Sequence, residues 1–265
     1  MEKIAPEGKL AGVFKRIFLR QPHERAVYEF TTSILKRSSL HRFRLGGFLA
    51  IGTALAILIW LEGNRVESKV IVLALQIAPM HLLFIVALVG LWVIMEIPME
   101  SESNWVFRIA ADERTVVYRS AVIKAAVVRV MLPVAIIGGI FHWLAGEAHF
   151  ALIHVVFAFA VSFFILEVVF LHFHKIPFTC SYLPGKANLK TFAGPYLLAF
   201  LLYLTVVTVI ELCCLSSPVA MSITIFLLLV AAGVLHWAGR WRKDEGLQFF
   251  EEPDPVMLSL EIDHN

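Results

Sequence analysis

NWVFRIAADERTVVYRSAVIKAAVVRVMLP, residues 104–133, decides how the chain is laid out. Charge is dense in its first half and fades into an apolar run that continues to Leu144. Two long apolar runs precede it and three follow. The stretch therefore predicts a cytoplasmic helical elbow, 98–124, climbing into the third of six membrane spans. At ~100° per residue, Arg108, Asp112, Thr115 and Arg119 share one helical face, with Val106, Ala110 and Val117 opposite. Arg114, Arg119, Lys124 and Arg129 recur every five residues, so these charges wind around the helix. A helix charged all round does not lie flat in lipid. It projects into the cytoplasm or is enclosed by protein, which makes Arg108, Asp112, Arg114, Arg119 and Lys124 candidates for docking a soluble partner. Positive-inside anchoring accounts for the same residues without a partner.

Composition sets the class. A 59% hydrophobic and 17% charged chain lies outside the soluble globular norm. Its mean hydropathy of +0.78 is what repeated stretches long enough to cross ~30 Å of hydrocarbon produce. Six spans take about half the length at ~20 residues each, so no soluble catalytic domain is expected. The 3 cysteines, two of them adjacent as Cys213–Cys214, give no disulfide framework and no metal clip. The N-terminus, MEKIAPEGKL, lacks the apolar core of a cleavable signal peptide.

The fold class expected is an all-α polytopic membrane protein with an N-terminal amphipathic elbow. Residues 1–42 read as interfacial helices. Leu10, Val13, Phe14, Ile17 and Phe18 line one face of the first, with Lys15, Arg16 and Arg20 opposite. Such a face fits either an anionic lipid surface or the protein's own spans. A second helix is expected over Glu24–Leu40. The six-span domain, 43–238, places spans at about 43–61, 70–95, 125–144, 150–170, 195–215 and 218–237. Pro79 interrupts the second, and Pro133 with Gly138–Gly139 marks the third. The tail, 239–265, carries an alternating Leu258–Leu260–Ile262 pattern that fits a short strand added to a partner's sheet, or a disordered end.

Orientation follows from the basic residues. With six spans and both termini cytoplasmic, 21 of the 23 Lys and Arg residues fall on one side, leaving Arg65 and Lys69 on the other. The loops on that other side, Glu62–Lys69, Ala145–His149 and Ser216–Ser217, are too short for a binding domain. A cytoplasmic (inner) membrane location is expected.

Ionisable groups within spans are functional candidates because burying them in hydrocarbon is costly. They are His81, His154, Glu167 and Glu211, with Thr205 and Thr208 completing a polar stripe on span five. A transport path would need them along one cavity, whereas helix–helix pairing would not. His154 and Glu167 fall on nearly opposite faces of span four. His172 and His174, near Cys180, read as interfacial histidines rather than metal ligands. Pro184–Gly185–Lys186 lacks the spacing of a phosphate loop. No Ser/His, paired-Asp or His-Glu-x-x-His pattern appears, so neither enzyme activity nor a cofactor or metal is expected. The basic residues track topology, so nucleic acid is not an expected partner.

A basic entry helix, two spans, a charged cytoplasmic helix and four further spans resemble the permease subunit of exporter-class ABC transporters. The segment ERAVYEFTTSILKRSSLHRFRL is also similar to stretches in bacterial multi-span proteins described as putative permeases. The resemblance implies an entry elbow over Leu10–Leu40 and a coupling helix over Asn104–Lys124 that docks on an ATPase. It further implies a homo- or hetero-oligomer in the bilayer. One departure is the link between spans five and six, only Ser216–Ser217, where that family has a re-entrant element. The competing expectation is a non-catalytic accessory subunit that scaffolds a larger membrane complex.

Overall fold

The computed structural model describes residues 18–19, 21–63, 65–97, 115–145, 148–171, 177–178 and 189–241. In chain order these form α1 (Pro22–Arg37), α2 (Ser39–Gly63), α3 (Lys69–Met95), α4 (Thr115–Ala126), a π-helical turn (Val127–Met131), α5 (Leu132–Ala145), α6 (Ala148–Phe170), α7 (Leu189–Leu215) and α8 (Pro218–Trp241). Among the described residues the protein is all-helical. Six stretches are long and apolar enough to cross a membrane: Ser39–Gly63, Lys69–Met95, Tyr118–Leu144, Phe150–Phe170, Gly194–Leu215 and Pro218–Gly239. The chain is an integral membrane protein of six spans, the third built from α4, the π turn and α5.

Two boundaries differ from those expected. Span one begins at Ser39, because a break at Ser38 ends α1 and the exposed Arg42 and Arg44 ride on the first turns of α2. Long basic side chains reach polar surroundings from such positions. Span three begins at Tyr118, about two turns before Ala125, because Arg119 and Lys124 find partners inside the protein. Span five, Gly194–Leu215, opens where expected, although its helix already begins at Leu189 and runs through Pro195. Arg108, Asp112 and Arg114, the helix over 10–17, His172, His174, Cys180 and the tail beyond 241 lie outside the described residues.

The π turn has a local cause. Pro133 offers no N–H to the carbonyl four residues back and its ring crowds that group, so the turn immediately before it widens. Pro79 sits inside α3 without ending it.

The core lies between α3, the third span and α6. In span two 67% of the apolar window is buried, against 11% in spans one and six, so these outer helices turn most of their surface to lipid. Small residues set the closest approaches, as packing in lipid requires. A Cβ at Gly52 would sit 3.0 Å from Val86 of α3, and one at Gly139 3.2 Å from Val155 of α6. At Gly90 it would lie 2.8 Å from the Cβ of Phe48, an atom that no rotamer change can move away. Gly90→Ala is therefore expected to push α2 off α3 and cost about 1–3 kcal/mol, measured by unfolding in mixed micelles. A variant as stable as the parent would show that spans one and two do not pack there.

At the end of the bundle carrying α1, two devices hold the helices. The amphipathic α1 buries Val27, Tyr28, Thr31 and Ile34 and packs on α4. Glu24 Oε1 accepts from the Ser120 hydroxyl at 2.8 Å and from Lys124 Nζ at 2.6 Å, and the same ammonium donates to the Phe18 carbonyl at 2.6 Å. Nearby, His41 Nε2–H donates to the Ile97 carbonyl at 3.1 Å, leaving Nδ1 to accept from Ser38 Oγ at 2.7 Å. Phe178 is buried against His41, and its N–H bonds the Met95 carbonyl. Its φ of 65° is costly for a phenylalanine, and burial of the ring with that hydrogen bond holds it there.

Candidate functional site

Two polar centres are buried among the spans, and α6 contributes to both. The first lies toward the end with the short loops. His81 of α3, His154 of α6 and Glu211 of α7 are each 0% exposed. Glu211 Oε2 is 2.6 Å from His81 Nε2, and its Oε1 is 2.6 Å from His154 Nδ1. A protonated Glu211 would donate to one ring and accept from the other, whereas an ionised Glu211 only accepts and both imidazoles donate to it. His81 Nδ1 and His154 Nε2 then point lone pairs away from the carboxylate, and among the described residues neither has a partner. The His142 ring of α5 stands edge-on to His154 with centroids 4.7 Å apart, and Phe150 and Phe157 close the sides. Four spans thus meet around one carboxylate.

Electrostatics makes this arrangement unusual. With Glu211 ionised and both imidazoles neutral, the cluster carries one negative charge, and no Lys or Arg among the described residues pairs with it. Two short N–H donors stabilise the anion but do not neutralise it. Taking up one positive charge would make the centre neutral, which is a strong preference in a low-dielectric interior.

The second centre lies at the opposite end of the same helix. Glu167, also 0% exposed, accepts from Arg119 Nη2 at 2.6 Å through Oε2 and from His236 Nδ1 at 2.9 Å through Oε1. Arg119 also reaches the Glu167 backbone carbonyl at 3.2 Å. Spans three, four and six are joined here, and the ion pair neutralises itself. Gly239 allows it, since a Cβ at that position would overlap the Arg119 guanidinium.

His154 and Glu167 are thirteen residues apart, about 20 Å along a helix, with the apolar Phe157, Ala158, Val161 and Leu166 and the single hydroxyl of Ser162 buried on the same helix between them. They serve separate centres and do not line one continuous polar path. The stripe on span five divides as well. Thr205 is exposed and bonds its own backbone at Leu201, Thr208 is buried with no partner for its hydroxyl among the described residues, and Glu211 joins the first centre.

No protein-family model, curated protein or solved structure matches this chain. The geometry alone therefore carries the reading of the site.

Two of the residues expected to face a soluble partner are engaged within the chain. Arg119 is 8% exposed and bound to Glu167, and Lys124 is bound to Glu24. The physical reason is that the helix enters the bundle before Arg119, and a guanidinium there is better satisfied by a buried carboxylate than by water. Sequence reasoning missed His142, His236 and Glu24. One signal was available for the first: His142 and His154 flank the short link between spans three and four, five and seven residues from its middle, so a tight helical hairpin brings them close.

Proposed function

We propose that the protein is a permease-type transmembrane subunit in which the His81–Glu211–His154 centre belongs to the translocation path. The carrying observation is a buried carboxyl group, held by two imidazoles from different spans, with which no Lys or Arg among the described residues pairs. Helix pairing alone is served by self-neutralising contacts such as Arg119–Glu167, and a net charge gives a structural joint no advantage. A group that exchanges a proton or a cationic cargo needs such a charge.

The bilayer orientation in this reading follows from the basic residues: the end with α1, Arg119 and Lys124 faces the cytoplasm, in a cytoplasmic or inner membrane. The clamp of Glu24 on Ser120 and Lys124 fits a coupling role, because a force on α1 would pass directly to the start of span three. The energy source in this reading is a cytoplasmic ATPase subunit, and the working unit is a homo- or hetero-oligomer, since six spans seldom enclose a gated path alone.

Purification in gentle detergent, with identification of what accompanies the chain, tests the proposal. A stoichiometric ATPase is expected, lost from the double variant Arg108→Glu with Arg114→Glu while the membrane chain itself stays folded. Arg119 is unsuitable for this purpose because its loss would damage the bundle. Recovery within an assembly that holds no ATPase would overturn the ATPase-coupled reading in favour of an accessory subunit.

A further inference from the structure

We propose that His81, His154 and Glu211 form a binding site for a divalent transition-metal ion of the zinc class. The ligating atoms of the three residues all lie within 4.8 Å of one another, on three different spans. Zinc-class ions bind imidazole nitrogen and carboxylate oxygen at about 2.0–2.2 Å, which sets neighbouring ligand atoms roughly 3.3 Å apart in a tetrahedron. The separations here, from 2.6 Å for the hydrogen-bonded pairs to at most 4.8 Å, bracket that value. Binding thus requires ring and carboxylate shifts of about an ångström and no movement of the helices.

The donor set selects the ion. Two nitrogens and one carboxylate suit zinc, cobalt, nickel or iron, whereas magnesium and calcium want oxygen throughout. The unpartnered ring nitrogens give the cluster a way to switch. For metal to bind, each ring must present a lone pair toward the carboxylate and carry its proton on the far nitrogen. His81 Nδ1 and His154 Nε2 have no partner among the described residues, so no hydrogen bond is broken there, but the N–H placed on each goes unpaired, a cost that the metal bonds must outweigh. The proton on each ring is retained, and the two N–H···O bonds are exchanged for two N–metal bonds and one O–metal bond.

Charge completes the argument. With Glu211 ionised the cluster carries −1 and a divalent ion brings it to +1, the charge of the two-histidine, one-glutamate zinc sites that keep an open position. Three protein ligands leave a fourth tetrahedral position for water or an anion travelling with the metal. The His142 ring, beside His154 on α5, stands where an ion would be handed on toward the short-loop end. That the ion is cargo rests on the permease reading. That the site binds it does not.

The test uses the full-length chain, purified in detergent through a histidine-free tag and titrated with Co²⁺ as the probe. The expected result is saturable binding of about one ion per chain, with the visible spectrum of tetrahedral cobalt and competition by Zn²⁺. Glu211→Gln, His81→Asn and His154→Asn should each weaken binding by at least about 100-fold, since even outer-shell partners of a metal site are worth about 10–100-fold. The double variant His172→Asn with His174→Asn should bind as the parent does, which separates this site from the other histidine pair. Folding of each variant is checked by size exclusion and circular dichroism. Should none of the three fold, X-ray absorption of the zinc-loaded parent decides, through the scattering of two imidazoles and one carboxylate. Folded parent protein that shows no saturable Co²⁺ binding, or folded variants that bind undiminished, would overturn the assignment without touching the ATPase experiment.

Discussion

Glu211→Ala is expected to destabilise the protein by about 3 kcal/mol or more, because two buried imidazole N–H groups lose their acceptor and each orphaned donor costs about 1–3 kcal/mol. The loss should appear in the detergent unfolding curve as a shift to lower denaturant. Glu211→Gln should recover much of it, since an amide still accepts from one ring and donates to the other. The informative variant replaces all three residues, His81, His154 and Glu211, by leucine. Removing both sides of a buried polar contact is often neutral or stabilising. A triple variant that is stable but inactive in the intact complex would mean that the centre is kept for its chemistry. A Glu211→Ala protein within about 0.5 kcal/mol of the parent would mean instead that spans two, four and five do not meet at this carboxylate.

Arg119→Met is expected to have an equal or larger effect. It leaves Glu167 ionised and buried with only the partly exposed His236 beside it, and breaking one side of a buried ion pair costs about 3–5 kcal/mol. Adding Glu167→Gln removes the stranded charge and should restore most of the stability. The coupling energy of that double-mutant cycle measures the pair directly. Additive losses in the two single variants would show that the two side chains are not in contact.

These variants separate what was legible in the sequence from what was not. His81, His154, Glu167 and Glu211 stand out as charges within apolar runs, and a charge in hydrocarbon is conspicuous whatever its neighbours. Their pairings are not legible. His81 and Glu211 are 130 residues apart and Arg119 and Glu167 48, so their meeting depends on which spans are adjacent and how each is rotated. Arg119 and Lys124 show the same limit from the other side. A basic residue at a span end looks alike in sequence whether it faces water, lipid phosphate or a buried carboxylate.

The sequence by itself determined that the described residues form helices with six apolar spans, because hydrophobic length is a local property and backbone groups in a bilayer are satisfied within each helix. Its uneven spread of basic residues is what the expected orientation rests on. Only the tertiary structure decided that span four carries two separate polar centres, one an Arg119–Glu167 ion pair and one a carboxyl group held by two imidazoles. The physical reason is that neutralisation is a matter of distance between spans, and a linear pattern of residues contains no such distances.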